Sequence, residues 1–146
     1  MRSNMTRRSV RMDLIRELVR SERIKTQGEL VDLLDKRGLN VTQATISRDI
    51  TEMGLQKKHG GGYYVLPEDV FVRRMVKELV KEVVPAQNLL VVKSSVGSAQ
   101  GVAAALDGAD LEGIIGSIAG DDTIVLITPD NSTAATLAAT ILSFKM

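Results

Sequence analysis

Helix start and stop signals between residues 26 and 54 restrict the fold of this chain more than any other feature. Thr26 opens the sequence Thr-Gln-Gly-Glu, in which Glu29 holds the third helical position of a capping box. Gly38 is a typical residue just past a helix C-terminus. Asn40 and Thr42 supply the next start, and Gly54 ends the segment that follows it. These signals predict two short helices joined by a tight connection.

Hydrophobic spacing adds a helix before this pair and a hairpin after it. Residues 9–20 carry apolar side chains at helical intervals. Residues 55–58 and 63–66 flank a run of glycines, which permits the positive φ angles that a hairpin tip needs. A hairpin that follows a helix-turn-helix is a wing, so residues 1–66 are predicted to form a winged helix-turn-helix domain.

The remainder of the chain predicts a linker helix and a second, smaller domain. An apolar stripe at helical spacing favours a helix over residues 67–84, ending at Pro85. Within residues 85–146 the predicted order is β-α-β-β-α, over the segments 89–93, 98–106, 114–118, 123–128 and 132–144. The fold class expected is therefore α+β. A domain of roughly 60 residues is marginal as a solitary core, so we expect it to oligomerise.

Charge is divided unevenly along the chain, although the formal net charge is only +1. Residues 1–66 contain 13 Lys and Arg against 8 Asp and Glu, whereas residues 67–146 contain 6 against 10. The basic front half suits a polyanion such as DNA. Since the chain has only two Tyr, two Phe and no Trp, a stacking platform for single-stranded nucleic acid is not expected. Double-stranded DNA is the expected partner.

The second helix of the helix-turn-helix presents side chains of the kind that read DNA. The predicted DNA-contacting residues are Gln43, Thr45, Ser47 and Arg48, with Ala44, Ile46 and Ile50 turned toward the core. Arg48 can grip a guanine edge with two hydrogen bonds, whereas Thr45 and Ser47 suit phosphate. Lys57 and Lys58 add cations on the wing that can follow the phosphate backbone. A merely solvated helix face and hairpin is the competing interpretation.

Two adjacent carboxylates, Asp121 and Asp122, form a candidate site for a cation in the second domain. They lie in a turn between two apolar strands predicted to be buried, where both side chains can converge. No Lys or Arg occurs between Lys93 and Lys145 to neutralise them. Unpaired like charges in an apolar setting are costly, which favours a cationic ligand. The alternative is an ordinary polar turn, for which Gly-Asp-Asp is common chemistry.

A second candidate segment opens the helix after the first strand of this domain. Backbone amides near Gly97 and Ser98 are suited to hold a carboxylate at a helix start. Gln100, in the first turn, offers both an amide donor and an acceptor. The alternative is a helix of small residues packed tightly on a neighbour.

The residue inventory argues against several other classes of protein. Cysteine is absent, which excludes disulfides, a thiolate zinc site and a cysteine nucleophile, and fits a cytoplasmic protein. With a single histidine and no nucleophile–base set, we expect no enzyme activity, no catalytic residue, no metal and no cofactor. No apolar run approaches the ~18 residues of a membrane span, so no membrane partner is expected.

Four segments, taken in order, resemble those of the bacterial arginine repressor family. Residues 43–50, Gln-Ala-Thr-Ile-Ser-Arg-Asp-Ile, resemble its recognition helix, and residues 63–67, Tyr-Tyr-Val-Leu-Pro, resemble its wing exit. Residues 97–100, Gly-Ser-Ala-Gln, and 116–123, Gly-Ser-Ile-Ala-Gly-Asp-Asp-Thr, resemble its effector-site segments. Ser117 stands where the family usually has Thr, so the hydroxyl is kept.

The resemblance implies a regulator that represses arginine biosynthesis genes, often activates arginine catabolism genes, and uses L-arginine as co-repressor. It implies trimers that pair into hexamers, with arginine bound where the trimers meet. It also implies that Ser47 and Arg48 contact operator DNA. The ligand-contacting residues implied in the same way are Gln100, Ser117, Ala119, Asp121 and Asp122.

The chemistry of arginine agrees with a paired-carboxylate site. Its guanidinium can be bound by one carboxylate through two hydrogen bonds, and its ammonium by the other. Two rival functions stay open from the residues alone. One is an amino-acid-sensing oligomeric module whose helix-turn-helix makes protein contacts, and the other is a DNA-architectural protein that ignores arginine.

Overall fold

The computed structural model describes residues 2–57 and 62–146, with side chains from Arg7 onward. The chain forms two compact units, which divide between Pro67 and Glu68. The predicted first domain ends at residue 66, one residue before this division. Within the described residues, no helix combines the length and the apolar character needed to cross a bilayer.

Three helices and a short hairpin make up the first unit, as predicted. They are α1 (Arg2–Ser21), α2 (Gln27–Lys36), α3 (Gln43–Met53), β1 (Gln56–Lys57) and β2 (Tyr64–Val65). The two strands pair antiparallel, with Lys57 opposite Tyr64. The tip of the hairpin at residues 58–61, and with it the predicted DNA contact Lys58, lies outside the described residues.

The predicted capping residues begin α2 and α3. Thr26 Oγ1 accepts a hydrogen bond from the Glu29 amide at 3.1 Å, and the Glu29 carboxylate accepts one from the Lys25 amide at 2.9 Å. Thr42 Oγ1 accepts from the Thr45 amide at 3.2 Å. Each cap satisfies an amide that has no partner within its helix, so these threonines fix where the helices start.

Glycines end both helices in the left-handed conformation that the sequence predicted. Gly38 has φ +84° and Gly54 has φ +67°, which glycine adopts without a Cβ clash. Beyond Gly38, the Leu39 amide donates to the Leu34 carbonyl at 2.9 Å, which closes a Schellman motif. Because α2 stops so sharply, only residues 37–42 connect it to α3.

The second unit is a four-stranded antiparallel sheet with helices packed on it. Its elements are α4 (Pro67–Leu79), β3 (Val80–Ala86), β4 (Leu89–Ser94), α5 (Ala99–Gly108), β5 (Gly116–Ala119), β6 (Thr123–Ile127) and α6 (Asn131–Ser143). The strands lie in the order β3-β4-β6-β5, and every neighbouring pair is antiparallel. The Asp-Asp turn lies between β5 and β6. Strand β6 is therefore central in the sheet, and β5 is at an edge.

Strand β3 corrects the predicted linker helix over residues 67–84, which ends at Leu79 instead. Val80 and Val83 fit a helical stripe in sequence, but β-branched side chains also suit a strand, and pairing with β4 decides between the two. Pro85 lies within β3, where an edge position tolerates the missing amide. The element order after α4 is thus β-β-α-β-β-α, with one strand more than predicted.

The two faces of the sheet have different environments. One face builds the core with α4, α5 and α6, and its central side chains, such as Leu90 and Ile124, are fully buried. The other face carries a cross-strand row of β-branched residues, one from each strand: Val84, Val91, Val125 and Ile118. Ile118 is 67% exposed in the single chain. The prediction of two buried strands around the Asp-Asp turn is therefore wrong for β5.

Candidate functional site

The solvent-facing side of α3 is a continuous strip of small and polar residues. The exposed positions that share this face are Gln43, Ala44, Ser47, Arg48 and Thr51, and Glu52 is exposed at its margin. The opposite face is buried through Ile46, Asp49 and Ile50. Ala44 was predicted to face the core and does not, because it lies three and four residues before Ser47 and Arg48 and so shares their exposed face. A small exposed methyl group is the kind that can meet a thymine methyl in the major groove.

Thr45 differs from the other predicted DNA-contacting residues of this helix. It is half-buried, and its hydroxyl oxygen accepts a hydrogen bond from the Thr42 hydroxyl at 3.1 Å. The two threonines together form the capped start of α3. The structure thus brings Ser47 and Arg48 onto one exposed face but assigns Thr45 to the helix terminus.

An ion pair that the sequence interpretation missed attaches α3 to α1. Arg11 Nε lies 2.6 Å from Asp49 Oδ2, and Arg11 Nη2 lies 3.1 Å from Asp49 Oδ1. The hydrogen bond with Asp49 raises the pKa of Arg11 above its ordinary value, against the opposing effect of burial. Arg8 makes a second ion pair with Glu52. Arg8 and Arg11 are three residues apart on α1, and Asp49 and Glu52 are three residues apart on α3. This matched spacing of opposite charges is visible in the sequence.

The wing begins beside the connection between α1 and α2. The Tyr64 amide donates to the Ile24 carbonyl at 2.8 Å, so this connection is hydrogen-bonded to the second strand of the hairpin. Lys57 Nζ lies 5.2 Å from the centre of the Tyr64 ring, and Arg23 Cζ lies 5.7 Å from that of Tyr63. Both cations are exposed and sit on aromatic faces, which limits their freedom while leaving their charge in solvent.

The Asp-Asp turn of the second unit is hydrogen-bonded to the start of α5. The Asp121 carbonyl accepts from the amides of Gly97 at 3.1 Å and Ala99 at 3.2 Å. The Asp122 carbonyl accepts from the Ser94 amide at 2.8 Å. These bonds bring together the two segments that the sequence singled out separately. Since residue 100 follows Ala99, the exposed side chain of Gln100 belongs to the same edge of the unit as the two exposed carboxylates.

The same hydrogen bonds correct the prediction that amides near Gly97 hold a ligand carboxylate. The amides of Gly97 and Ala99 donate to Asp121, and that of Ser98 donates to the Ser95 carbonyl at 3.0 Å. All three already have acceptors within the chain. The side chain of Gln100 is therefore the donor that this segment offers to a ligand.

A cation does lie near the carboxylates, although none is near in sequence. Lys93 pairs with Thr123 across β4 and β6, and Lys93 Nζ donates to Thr123 Oγ1 at 2.9 Å. Thr123 Oγ1 in turn donates to Asp122 Oδ1 at 2.9 Å. The sheet register thus links Asp122 to Lys93 through one hydroxyl. Asp121 has no such link among the described residues.

Ser117 and Ala119 line the side of β5 that faces α5. Ser117 Oγ lies 3.1 Å from Asp107 Oδ2, and Ala119 packs against the core. Asp107 is seven residues after Gln100, so both project from one face of α5. The structure therefore extends the polar edge to a third carboxylate, Asp107, which the sequence interpretation missed because residue spacing alone does not show where β5 lies.

This edge of the unit has the chemistry of a site for an organic cation. Asp121 and Asp122 are both exposed in the single chain, which corrects the apolar setting expected for them, and their turn is hydrogen-bonded to the segment that carries Gln100. Within residues 7–57 and 62–146, no cluster of three or more His, Asp or Glu is arranged to hold a metal ion. Two carboxylates and an amide match a small molecule with two cationic groups and one anionic group.

Comparison with known proteins gives matches across both units. Residues 6–71 match the family model of the arginine repressor DNA-binding domain, and residues 76–143 match that of the arginine repressor C-terminal domain. An arginine repressor of Koribacter versatilis is 46% identical over 134 residues, covering 87% of this chain and 90% of that protein. The arginine repressor of Staphylococcus haemolyticus is 40% identical over 148 residues, covering 95% and 99%. That of Bacillus pumilus is 43% identical over 129 residues, covering 81% and 87%.

Proposed function

The chain belongs to the arginine repressor family, and from this premise we propose how arginine controls its contact with DNA. As a family member the protein is an arginine-responsive transcription regulator and not an enzyme. We propose that it represses arginine biosynthesis genes when arginine is abundant, and that it acts in the cytoplasm, where its operator DNA is. L-arginine serves as co-repressor.

The exposed strip of α3 is the proposed reader of operator DNA. Arg48 takes a guanine edge, while Gln43 and Ser47 contact a base edge or phosphate. Thr45 acts at the capped start of the helix, where backbone amides favour phosphate. Lys57 and Lys58 of the wing bind phosphate. The continuous exposure of Gln43, Ser47 and Arg48 supports this assignment.

The carboxylate turn is the proposed arginine site. One carboxylate of the pair Asp121 and Asp122 takes the guanidinium and the other takes the ammonium, while the Gln100 amide donates to the ligand carboxylate. Ser117 and Ala119 form the wall beside them. The observation that carries the proposal is the set of hydrogen bonds from Gly97 and Ala99 to Asp121, which unites these residues.

Oligomerisation completes the proposed mechanism. The apolar row of Val84, Val91, Val125 and Ile118 requires burial. A second copy of this domain buries it as trimers form and pair into hexamers. Carboxylates crowded where trimers meet repel one another without arginine, and the ligand relieves that repulsion. Arginine then favours the quaternary arrangement whose wings match the operator, which is a coupling between two sites.

The direct test is DNA binding with and without the ligand. We expect arginine to tighten binding to the chain's own upstream region and to shift the protein to its larger assembly in sizing experiments. Citrulline, which lacks the guanidinium charge, should do neither. Tight binding that ignores arginine would favour an architectural protein, and arginine binding without any DNA binding would favour a module that acts through protein contacts.

A further inference from the structure

We propose that Arg11 is a positioning residue for DNA reading, because it sets the angle of α3 through the buried carboxylate of Asp49. Arg11 lies on α1 and its guanidinium is engaged by Asp49 on the buried face of α3, so its proposed effect on DNA binding is exerted through α3. This inference rests on the proposed role of α3 as the reader of operator DNA. It adds a specificity-determining contact to those that the exposed residues suggest.

Arg11 and Asp49 form a bidentate ion pair, which we term the clamp. Two guanidinium nitrogens, Nε and Nη2, meet the two oxygens of one carboxylate at 2.6 and 3.1 Å. The Asp49 side chain is 5% exposed and that of Arg11 is 18% exposed. A bidentate pair fixes orientation as well as distance, which a single hydrogen bond does not. The clamp therefore restricts rotation of α3 about its own axis.

Rotation of α3 about its axis would also move Arg48, because Arg48 and Asp49 are neighbours in the chain. Asp49 directly follows Arg48, so the buried and the exposed side chains are adjacent on the backbone. A turn of the helix that releases the clamp carries Arg48 away from its place on the exposed strip. Arg8 and Glu52 form a second ion pair, one turn earlier on α1 and one turn later on α3. Since both of those side chains are more than half exposed, their pair contributes less than the buried one.

The clamp also removes a charge that would oppose DNA binding. Without Arg11, α3 would hold a buried unpaired carboxylate beside its DNA-facing strip, and the helix would shift to let water reach it. Lysine at position 11 keeps the positive charge but loses the planar fork. The Arg11→Lys variant therefore separates the orienting role of the clamp from simple charge neutralisation.

The experiment measures binding to two duplexes in saturating arginine. One duplex is selected from a random pool by the wild-type protein, and the other is its shuffled version of equal length and composition. For Arg11→Lys we expect the ratio of selected to shuffled affinity to fall about tenfold, comparable to losing one base contact. Binding to the shuffled duplex should change little. Arg7→Lys, an exposed substitution on the same helix, should leave the ratio unchanged.

The outcomes separate this inference from the proposed function. If Arg11→Lys melts earlier but keeps the wild-type ratio well below its melting temperature, the clamp is only structural and the inference fails. If Arg11→Lys does not fold, Asp49→Asn is measured in its place, with the same fall expected. If the wild-type protein shows no preference for any duplex, or Arg48→Ala leaves the preference intact, it is the proposed role of α3 that fails.

Discussion

The carbonyl oxygen of Asp121 lies 3.2 Å from the amide nitrogen of Ala99, so the carboxylate turn and the first turn of α5 form one hydrogen-bonded unit. A ligand that binds the Asp121 carboxylate and the Gln100 amide therefore bridges two elements that are already joined. Pre-organisation of this kind lowers the ordering cost of binding.

Arginine affinity should depend on both carboxylates. The Asp121→Asn and Asp122→Asn variants each keep the backbone hydrogen bonds of the turn but lose one charge-assisted contact. We expect each to weaken arginine binding by about 1.5–3 kcal/mol, measured by titration calorimetry. Asp110→Asn, an exposed change just after α5, is the matched control and should bind as the wild type does. Unchanged affinity in both variants of the turn would overturn the site.

Arg48→Ala should separate base reading from phosphate binding. If Arg48 grips a base, specific affinity falls by about 1–3 kcal/mol and the salt dependence is nearly unchanged. If it meets only phosphate, affinity falls for every sequence and the slope of log affinity against log salt decreases by about 1. Fluorescence anisotropy over a salt series distinguishes these results. An unaltered affinity and slope would remove Arg48 from the interface.

A charge placed on the open face of the sheet should dissociate the assembly. Ile118→Lys puts an ammonium at the β5 end of the apolar row that the proposed oligomer buries, where an unpaired charge is costly. We expect sedimentation velocity to show smaller species at concentrations where the wild type is assembled. Val10→Lys changes a side chain that is 50% exposed and lies on α1 of the first unit, and should not alter assembly. Equal sizes for both variants would place the interface elsewhere.

The sequence predicted the first unit more fully than the second. Capping threonines and terminal glycines are local signals, and Thr26, Thr42, Gly38 and Gly54 all act where they were expected. Strand β3 was missed because the spacing of its valines satisfies two periodicities, and only pairing with β4 decides between them. The family, the winged helix-turn-helix and the regulatory function were all predicted and are confirmed.

For the candidate site, the sequence identified residues but not the contacts that they make. Asp121 and Asp122 could be chosen from sequence, since an acidic pair between apolar strands is conspicuous. Their partners could not, because Lys93 approaches Asp122 only through cross-strand register. Contacts between residues distant in the chain are set by topology, which hydrophobic periodicity does not encode.

Gly113→Ala should destabilise the second unit. Gly113 has φ +97°, and a Cβ there would lie 2.3 Å from Thr133 Cγ2 of α6. We expect a loss of about 2 kcal/mol or more in the free energy of unfolding, from strain and overlap together. Adding Thr133→Ser removes the clashing methyl and should recover part of the loss. Gly108→Ala, where no atom lies within 4 Å of the added Cβ, should not destabilise.

The cap of α6 should make stability depend on pH. The Thr133 amide donates to Asp130 Oδ1 at 2.7 Å and lowers the pKa of that carboxyl below its ordinary value. A depressed folded pKa adds stability that is complete above the unfolded pKa of about 3.9 and is lost as pH falls through the folded value. The difference in denaturation midpoint between wild type and Asp130→Ala should therefore shrink below pH ~4. Asp130→Ser, whose hydroxyl caps without titrating, should keep a constant difference from Asp130→Ala.

The central place of β6 gives the second unit a particular order of assembly during synthesis. β4 and β5 are made first but do not touch, because the strand that joins them is β6. The Asp-Asp turn cannot dock on α5 until residues 123–127 have left the ribosome and inserted between their neighbours. If the turn is the arginine site as proposed, a nascent chain cannot bind arginine there until residues 123–127 have paired with β4 and β5.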